Sequence, residues 1–185
     1  MAESFKLTYA TMFDPPEELH TRFDDALAEL KGKLGQEYGM IIDGQDVFAD
    51  EKFEDHTPAN TDQVLGVFQK GNEQHAAQAI EAARRAFPDW SRTKWTERVR
   101  LMRKAADLIT ERTFEIGAAM AMEVGKNRME ALGDIAETAD LIRYSCYQME
   151  KNDGYIVEMG QDPLVGYKAT NISKMRPYGC LLYTS

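Results

Sequence analysis

The chain has 185 residues, 43% hydrophobic and 29% charged, with a formal net charge of −9 at pH 7. That composition fits a folded globular chain, one domain or the first part of a larger one, and excludes intrinsic disorder. The negative balance argues against nucleic acid or an anionic membrane as partner, because both demand clustered Lys and Arg.

No apolar run approaches the length needed to cross a bilayer, and the opening MAESFKLTYA has no signal-peptide core. The two cysteines, Cys146 and Cys180, are too few for a disulfide framework, which points to a reducing cytoplasm.

Asp14-Pro15-Pro16-Glu17-Glu18 reads as a helix start, with proline in the first turn and acids at the positive end of the dipole. Leu19, Phe23, Leu27, Leu30 and Leu34 then recur at helical spacing up to Gly35. Asp43-Gly44, set between the apolar flanks of Met40–Val47, predicts a β-hairpin. Residues 49–62 are acidic and polar with Pro58, and are expected to be a connection. Gln63 to Lys70 is a short β-prone run that ends at Gly71.

Asn72 offers an N-cap to a helix whose apolar stripe is Ala76, Ile80, Ala83 and Phe87, with Pro88 near its end. A second helical stretch runs from about Thr96 to Glu111, with Val99, Met102, Ala105, Ala106 and Ile109 on its inner face, and Phe114, Ile116, Ala118, Ala119 and Met122 continue the stripe to Gly125. Gly125 is placed to end it in a left-handed cap. A third helix takes Met129, Leu132, Ile135, Ala136, Ala139, Ile142, Cys146 and Met149 inward and stops before Asn152-Asp153-Gly154. Tyr155 to Tyr178 alternates β-prone runs with glycine and proline, which fits two or three strands.

Catalytic signals are sparse. His20, His56 and His75 fall in different elements with no paired cysteine, so no metal site is expected. Neither a G-x-G nor a G-x-S-x-G occurs, so the dinucleotide fingerprint, the P-loop and the nucleophile elbow are missing. Cys146 lies on the apolar stripe of the third helix, where a thiol is silenced by burial and packs as a small hydrophobe. Glu123-Val124-Gly125-Lys126-Asn127 is best taken as a helix end with a lysine near the negative pole of the dipole. Glu137 stands three residues after Asp134 and three before Asp140, so the acids lie near one face of an otherwise buried helix. They form either a solvated acidic stripe or, at Glu137, a carboxylate that meets a cationic ligand group.

The ordered series GMIIDGQDV, PANTDQVLGVFQKG, AIEAARRAFPDW, ERVRLMRKAADLITERTFEIGAAMAMEVGKNRMEALGDIAETADLIRYSCYQME and KMRPYG resembles the N-terminal part of an aldehyde dehydrogenase. The run EVGKNRMEALGDIAETADLIRY is most similar to the 1-pyrroline-5-carboxylate dehydrogenase branch, which oxidises L-glutamate γ-semialdehyde with NAD. Thr57-Pro58-Ala59 departs from the Asn-Pro-Ala of many members. The resemblance implies an α/β fold, here an incomplete N-terminal portion, mainly helical with a β-hairpin and C-terminal strands. It implies an N-terminal arm and the helical part of the NAD-binding domain over 1–152, and strands of an oligomerisation hairpin over 153–179.

The family reaction uses a cysteine thiolate, a glutamate-activated water and NAD. The resemblance puts the nucleophile, the base and the cofactor strands beyond these residues. It therefore implies no catalytic, cofactor-binding or metal-binding residue here, and an inactive piece of an enzyme whose full form acts on a small aldehyde as a homo-oligomer. Neither Cys146 nor Cys180 aligns with the nucleophile. Glu137 is the exception, since the matching glutamate of the branch lies by the substrate tunnel and meets the substrate's amino group.

Cys180-Leu181-Leu182-Tyr183-Thr184-Ser185 can be written back as TGT CTC TTA TAC ACA TCT, a string similar to the transposon mosaic end of sequencing libraries. Residues 180–185 are therefore expected to be translated adapter. Two other readings remain at this point: a small inactive α+β binding or assembly module derived from the same fold, and a parent dehydrogenase of another substrate branch.

Overall fold

The computed structural model describes residues 15–161, 163, 164, 166 and 168–176. The expected adapter tail, Cys180 and the Pro177-Tyr178-Gly179 motif lie outside the described residues.

Helix α1 spans Glu17–Lys31, with Pro16 as its N-cap residue and Glu17 and Glu18 in the first turn. It ends before Leu34, where the ladder tightens: the Gly32 N–H is shared between the carbonyls of Ala28 and Glu29, and the Lys33 N–H bonds three residues back to Leu30 at 2.8 Å. Strand β1 (Gln36–Tyr38) follows. Strands β2 (Met40–Ile42) and β3 (Gln45–Val47) form the expected antiparallel hairpin. Asp43 and Gly44 at its tip have φ of 54° and 73°, the primed turn whose twist matches paired strands.

Strand β4 (Lys52–His56) replaces the connection expected over 49–62. It runs antiparallel to β5 (Val64–Gln69), which in turn pairs in parallel with β1. The sheet order is β1-β5-β4, so β4 is an edge strand. Its charged residues serve that position, since charge on an edge discourages pairing with another chain. Phe53 of β4 and Tyr38 of β1 both stack on Phe68 of β5, with ring centroids 5.9 and 5.3 Å away. On the same sheet the side chain of Gln69 donates to Glu37 and to the Tyr38 carbonyl, and accepts from the Ala49 N–H at 2.9 Å.

Helix α2 spans Glu73–Arg92. The Asn72 side chain accepts from the N–H groups of Gln74 and His75, and the His75 ring accepts in return from the Asn72 N–H at 3.1 Å. The N-terminus is as expected, but the apolar stripe is not buried: Ile80 is 47% and Phe87 59% exposed. Pro88 lies inside the helix, which runs four residues beyond it.

Helix α3 (Trp95–Glu111) ends at Glu111 as expected, and the stripe that continues beyond it forms a separate helix α4 (Thr113–Val124). The break is at Arg112 (φ −98°, ψ 18°), where the Thr113 hydroxyl donates to the Thr110 carbonyl at 2.7 Å. Such side-chain bonds compete with the helical ladder. Gly125 caps α4 at φ 70°, as its position predicted.

Helix α5 (Arg128–Lys151) begins at Asn127, whose side-chain oxygen accepts from Met129 and Glu130 N–H. Strands β6 (Ile156–Met159) and β7 (Asn171–Lys174) pair antiparallel after it. Among the described residues no helix is long and apolar enough to cross a membrane.

Helices α1, α4 and α5 make the densest core, from Leu19, Phe23, Ala118 and Leu132. Leu132 is 1% exposed, and truncating such a side chain costs both its transfer energy and the cavity it leaves. Leu132→Ala should therefore lower stability by about 2–5 kcal/mol in urea unfolding. Leu141, on the same helix but 57% exposed, supplies the control, with Leu141→Ala expected within about 0.5 kcal/mol.

Exposed pairs add a pH dependence. Hydrogen bonds from Lys52 and Gln69 hold the Glu37 carboxyl below its ordinary 4.5. The forks of Arg100, Arg112 and Arg103 do the same for Glu97, Glu115 and Glu150. A depressed carboxylate stabilises the fold above the unfolded value and loses that contribution as pH falls through the folded one. The melting temperature should therefore be level from about pH 7 to 5 and fall steadily from there toward pH 3. A flat profile over the acid range would contradict this.

Candidate functional site

Helix α5 carries the one candidate ligand residue, Glu137. Its inner face is set by Ala131, Leu132, Ile135, Ala139 and Cys146, all buried. At about 100° per residue, Glu137 points almost opposite that stripe, and it is exposed. The acidic face is thus the outer face of α5. Leu141, Tyr144 and Tyr147 are exposed too, so, contrary to the sequence reading, the helix is not otherwise buried beyond its acids.

The three acids of this face differ in what they meet. Asp134 pairs with Lys126, from the α4–α5 junction, and its carbonyl accepts from the Thr138 hydroxyl at 2.8 Å. Asp140 pairs with Arg143 at 3.5 Å. Arg143 is itself tied to α3, through Asp107 and the Thr110 hydroxyl, both at 2.9 Å. The Glu137 side chain makes no hydrogen bond or ion pair with a described residue. It is the member of the stripe left to meet something from outside. Lys126 directly follows the Gly125 cap of α4, the structural position expected for it, and its pair with Asp134 ties that helix end to α5.

The remaining candidates fall elsewhere. Cys146 is 4% exposed and its sulfur lies 3.8 Å from the Val99 carbonyl, a packing position between α5 and α3. His20 meets Arg128 at 2.9 Å, His56 meets the Thr61 carbonyl at 2.8 Å, and His75 belongs to the α2 cap. Among the described residues no three His, Cys, Asp or Glu side chains gather as metal ligands.

Two concavities went unforeseen. One, of about 430 Å³, is an apolar groove between α3 and α5 lined by Trp90, Trp95, Met102 and Leu141. Met102 and Met149 were expected to be inward residues, and they do face α5 and α3, but at an open groove. The other, of about 1170 Å³, lies between the start of α3 and the β6–β7 hairpin and is lined by basic residues. Its cations come from parts of the sequence some 80 residues apart, such as Lys94 and Lys174, so no local spacing could announce it.

The Aldehyde dehydrogenase family model matches residues 47–183. The 1-pyrroline-5-carboxylate dehydrogenase of Geobacillus sp. (strain WCH70) is 39% identical over 74% of this chain and 27% of its own length. A 1-pyrroline-5-carboxylate dehydrogenase of Halalkalibacterium halodurans is 38% identical over 71% of this chain and 26% of its own. The crystal structure of 1-pyrroline-5-carboxylate dehydrogenase from Thermus with bound NAD superposes with a TM-score of 0.77 at 30% identity, over 88% of this chain and 32% of that one. The chain thus spans about a quarter of the length of the curated relatives it matches. Its mainly helical architecture with small sheets corresponds to part of that fold, and the chain belongs to the aldehyde dehydrogenase family.

Proposed function

We propose that this chain is one part of a longer, cytoplasmic, homo-oligomeric NAD-dependent aldehyde dehydrogenase that oxidises L-glutamate γ-semialdehyde to L-glutamate in proline degradation. The observation that carries the reading is its 38–39% identity to proteins named 1-pyrroline-5-carboxylate dehydrogenase. A family likeness alone would leave the aldehyde open. The unpaired carboxylate of Glu137 supports the choice, because the proposed substrate carries an α-ammonium group.

The described residues do not fit NAD. The one place among them where a strand leads directly into a helix is the β5–α2 junction, and it has no G-x-G. There the Gln74 and His75 N–H groups are already taken by the Asn72 side chain, so they are not free to receive a pyrophosphate. Hydride transfer is therefore assigned to other parts of the enzyme.

What this chain contributes is positioning. A Glu137 carboxylate at the tunnel wall would accept a charge-assisted hydrogen bond from the ammonium group, worth about 1.5–3 kcal/mol. The contact is remote from the aldehyde carbon, so it should strengthen ground-state and transition-state binding alike.

Two measurements test this. The 185-residue chain should reduce no NAD with L-glutamate γ-semialdehyde, and cysteine-dependent turnover would overturn the partial-enzyme reading. In the dehydrogenase that carries this segment, Glu137→Ala should raise KM about tenfold or more with kcat nearly unchanged. A simple aliphatic aldehyde should feel little effect. Equal effects on both aldehydes would return Glu137 to the status of a solvated helix acid.

A further inference from the structure

The cavity of about 1170 Å³ has a charge that the rest of the chain does not share. Arg92, Lys94, Arg98, Lys174 and Arg176 line it, and no aspartate or glutamate does among the described residues. The whole chain carries −9. Three separate elements bring these cations together: the end of α2, the start of α3 and the end of β7.

Elsewhere among the described residues every arginine except Arg84 is matched by an acid. Arg85 meets Asp43, Arg100 meets Glu97, Arg103 meets Glu150, and Arg128 meets Asp24. In the cavity only Arg92 is matched, by Asp89 at 2.6 Å. The side chains of Lys94, Arg98, Lys174 and Arg176 make no hydrogen bond or ion pair with a described residue. Arg98 is also half-buried. A guanidinium partly stripped of water and lacking a counter-charge is where an anion gains most.

The backbone adds the same sign. Lys94 stands at the N-cap of α3, a 17-residue helix with no side-chain cap bond, so the positive end of its dipole opens toward the cavity. Opposite it, Asp153, Gly154 and Tyr155 take consecutive positive φ values of 48°, 68° and 54°. That turn packs Gly154 against the Trp95 ring, too close to leave room for a Cβ, and leaves Tyr155 in the cavity wall.

We propose that this cavity binds a compact polyanion, a small molecule with two or more phosphate or carboxylate groups held close together. Two guanidinium forks and two ammonium groups can share several oxygens of such a ligand, and neutralising them relieves their mutual repulsion. A singly charged anion offers too little charge to do so.

The test is calorimetric titration of the 185-residue chain with inorganic pyrophosphate, with citrate and with acetate, in about 20 mM salt, where screening is weak. Pyrophosphate or citrate should bind saturably at one site, acetate should not, and the tighter of the two polyanions identifies phosphate or carboxylate as the preferred group. The Lys94→Gln/Lys174→Gln double variant should weaken binding about tenfold or more, and about 0.3 M salt should weaken it as well. Arg84→Gln removes a cation that is also unpaired but lies outside the cavity, and should leave binding unchanged. Matching far-UV circular dichroism of all variants separates lost binding from lost folding. Absence of saturable binding by either polyanion would overturn the proposal, as would an equal loss in Arg84→Gln.

Discussion

The contact between Leu132 and Gly117 decides how α4 and α5 sit together. A Cβ built on Gly117 would stand 2.8 Å from a terminal methyl carbon of Leu132. The two helices therefore approach as closely as a bare glycine allows, with Leu132 seated over it. Ala118 and Ala131, both fully buried, extend the same close seam. Leu19 and Phe23 of α1 close it from the other side. Once Leu132 is fixed, the helical period turns Glu137 outward. The candidate ligand carboxylate is thus placed by a hydrophobic contact on the other side of its helix.

Much large apolar surface stays open around this core. Phe87, Trp90, Leu141, Tyr144 and Tyr147 are all exposed. The groove between α3 and α5 gathers two of them, Trp90 and Leu141. Contiguous apolar surface of this kind marks an interface. That fits the proposed role as one part of a longer dehydrogenase, and it explains why α2 has a helix pattern whose apolar stripe meets nothing among the described residues.

Local chemistry made several elements legible in the sequence. Asp43-Gly44 demanded a hairpin, Asn72 capped a helix, Gly125 ended one, and the stripe of α5 named Leu132, Ile135, Ala139 and Cys146 as inner residues. Where the decisive partner is distant, the reading failed. Strand β1 owes its existence to a parallel partner some 30 residues away. Strand β4 mixes Phe53 among charges, so no alternation shows. Ile80 and Phe87 form a regular stripe, but periodicity states which face is apolar and cannot say whether anything covers it. The end of α3 at Glu111 was legible, whereas the apolar stripe that runs on to Met122 hid the fresh start of a helix at Thr113. The same limit applied to the site. Three acids at helical spacing could be seen, but which of them would be neutralised depended on Lys126 and Arg143.

The central claim, that the Leu132–Gly117 contact sets the α4–α5 seam, is tested most directly by the urea unfolding midpoint of Gly117→Ala. Alanine in place of a helical glycine is worth about 1 kcal/mol of added stability where space permits. The account predicts the opposite, a lower midpoint, because the added methyl must displace a side chain that is only 1% exposed. A midpoint raised to the extent expected from helix propensity would contradict it.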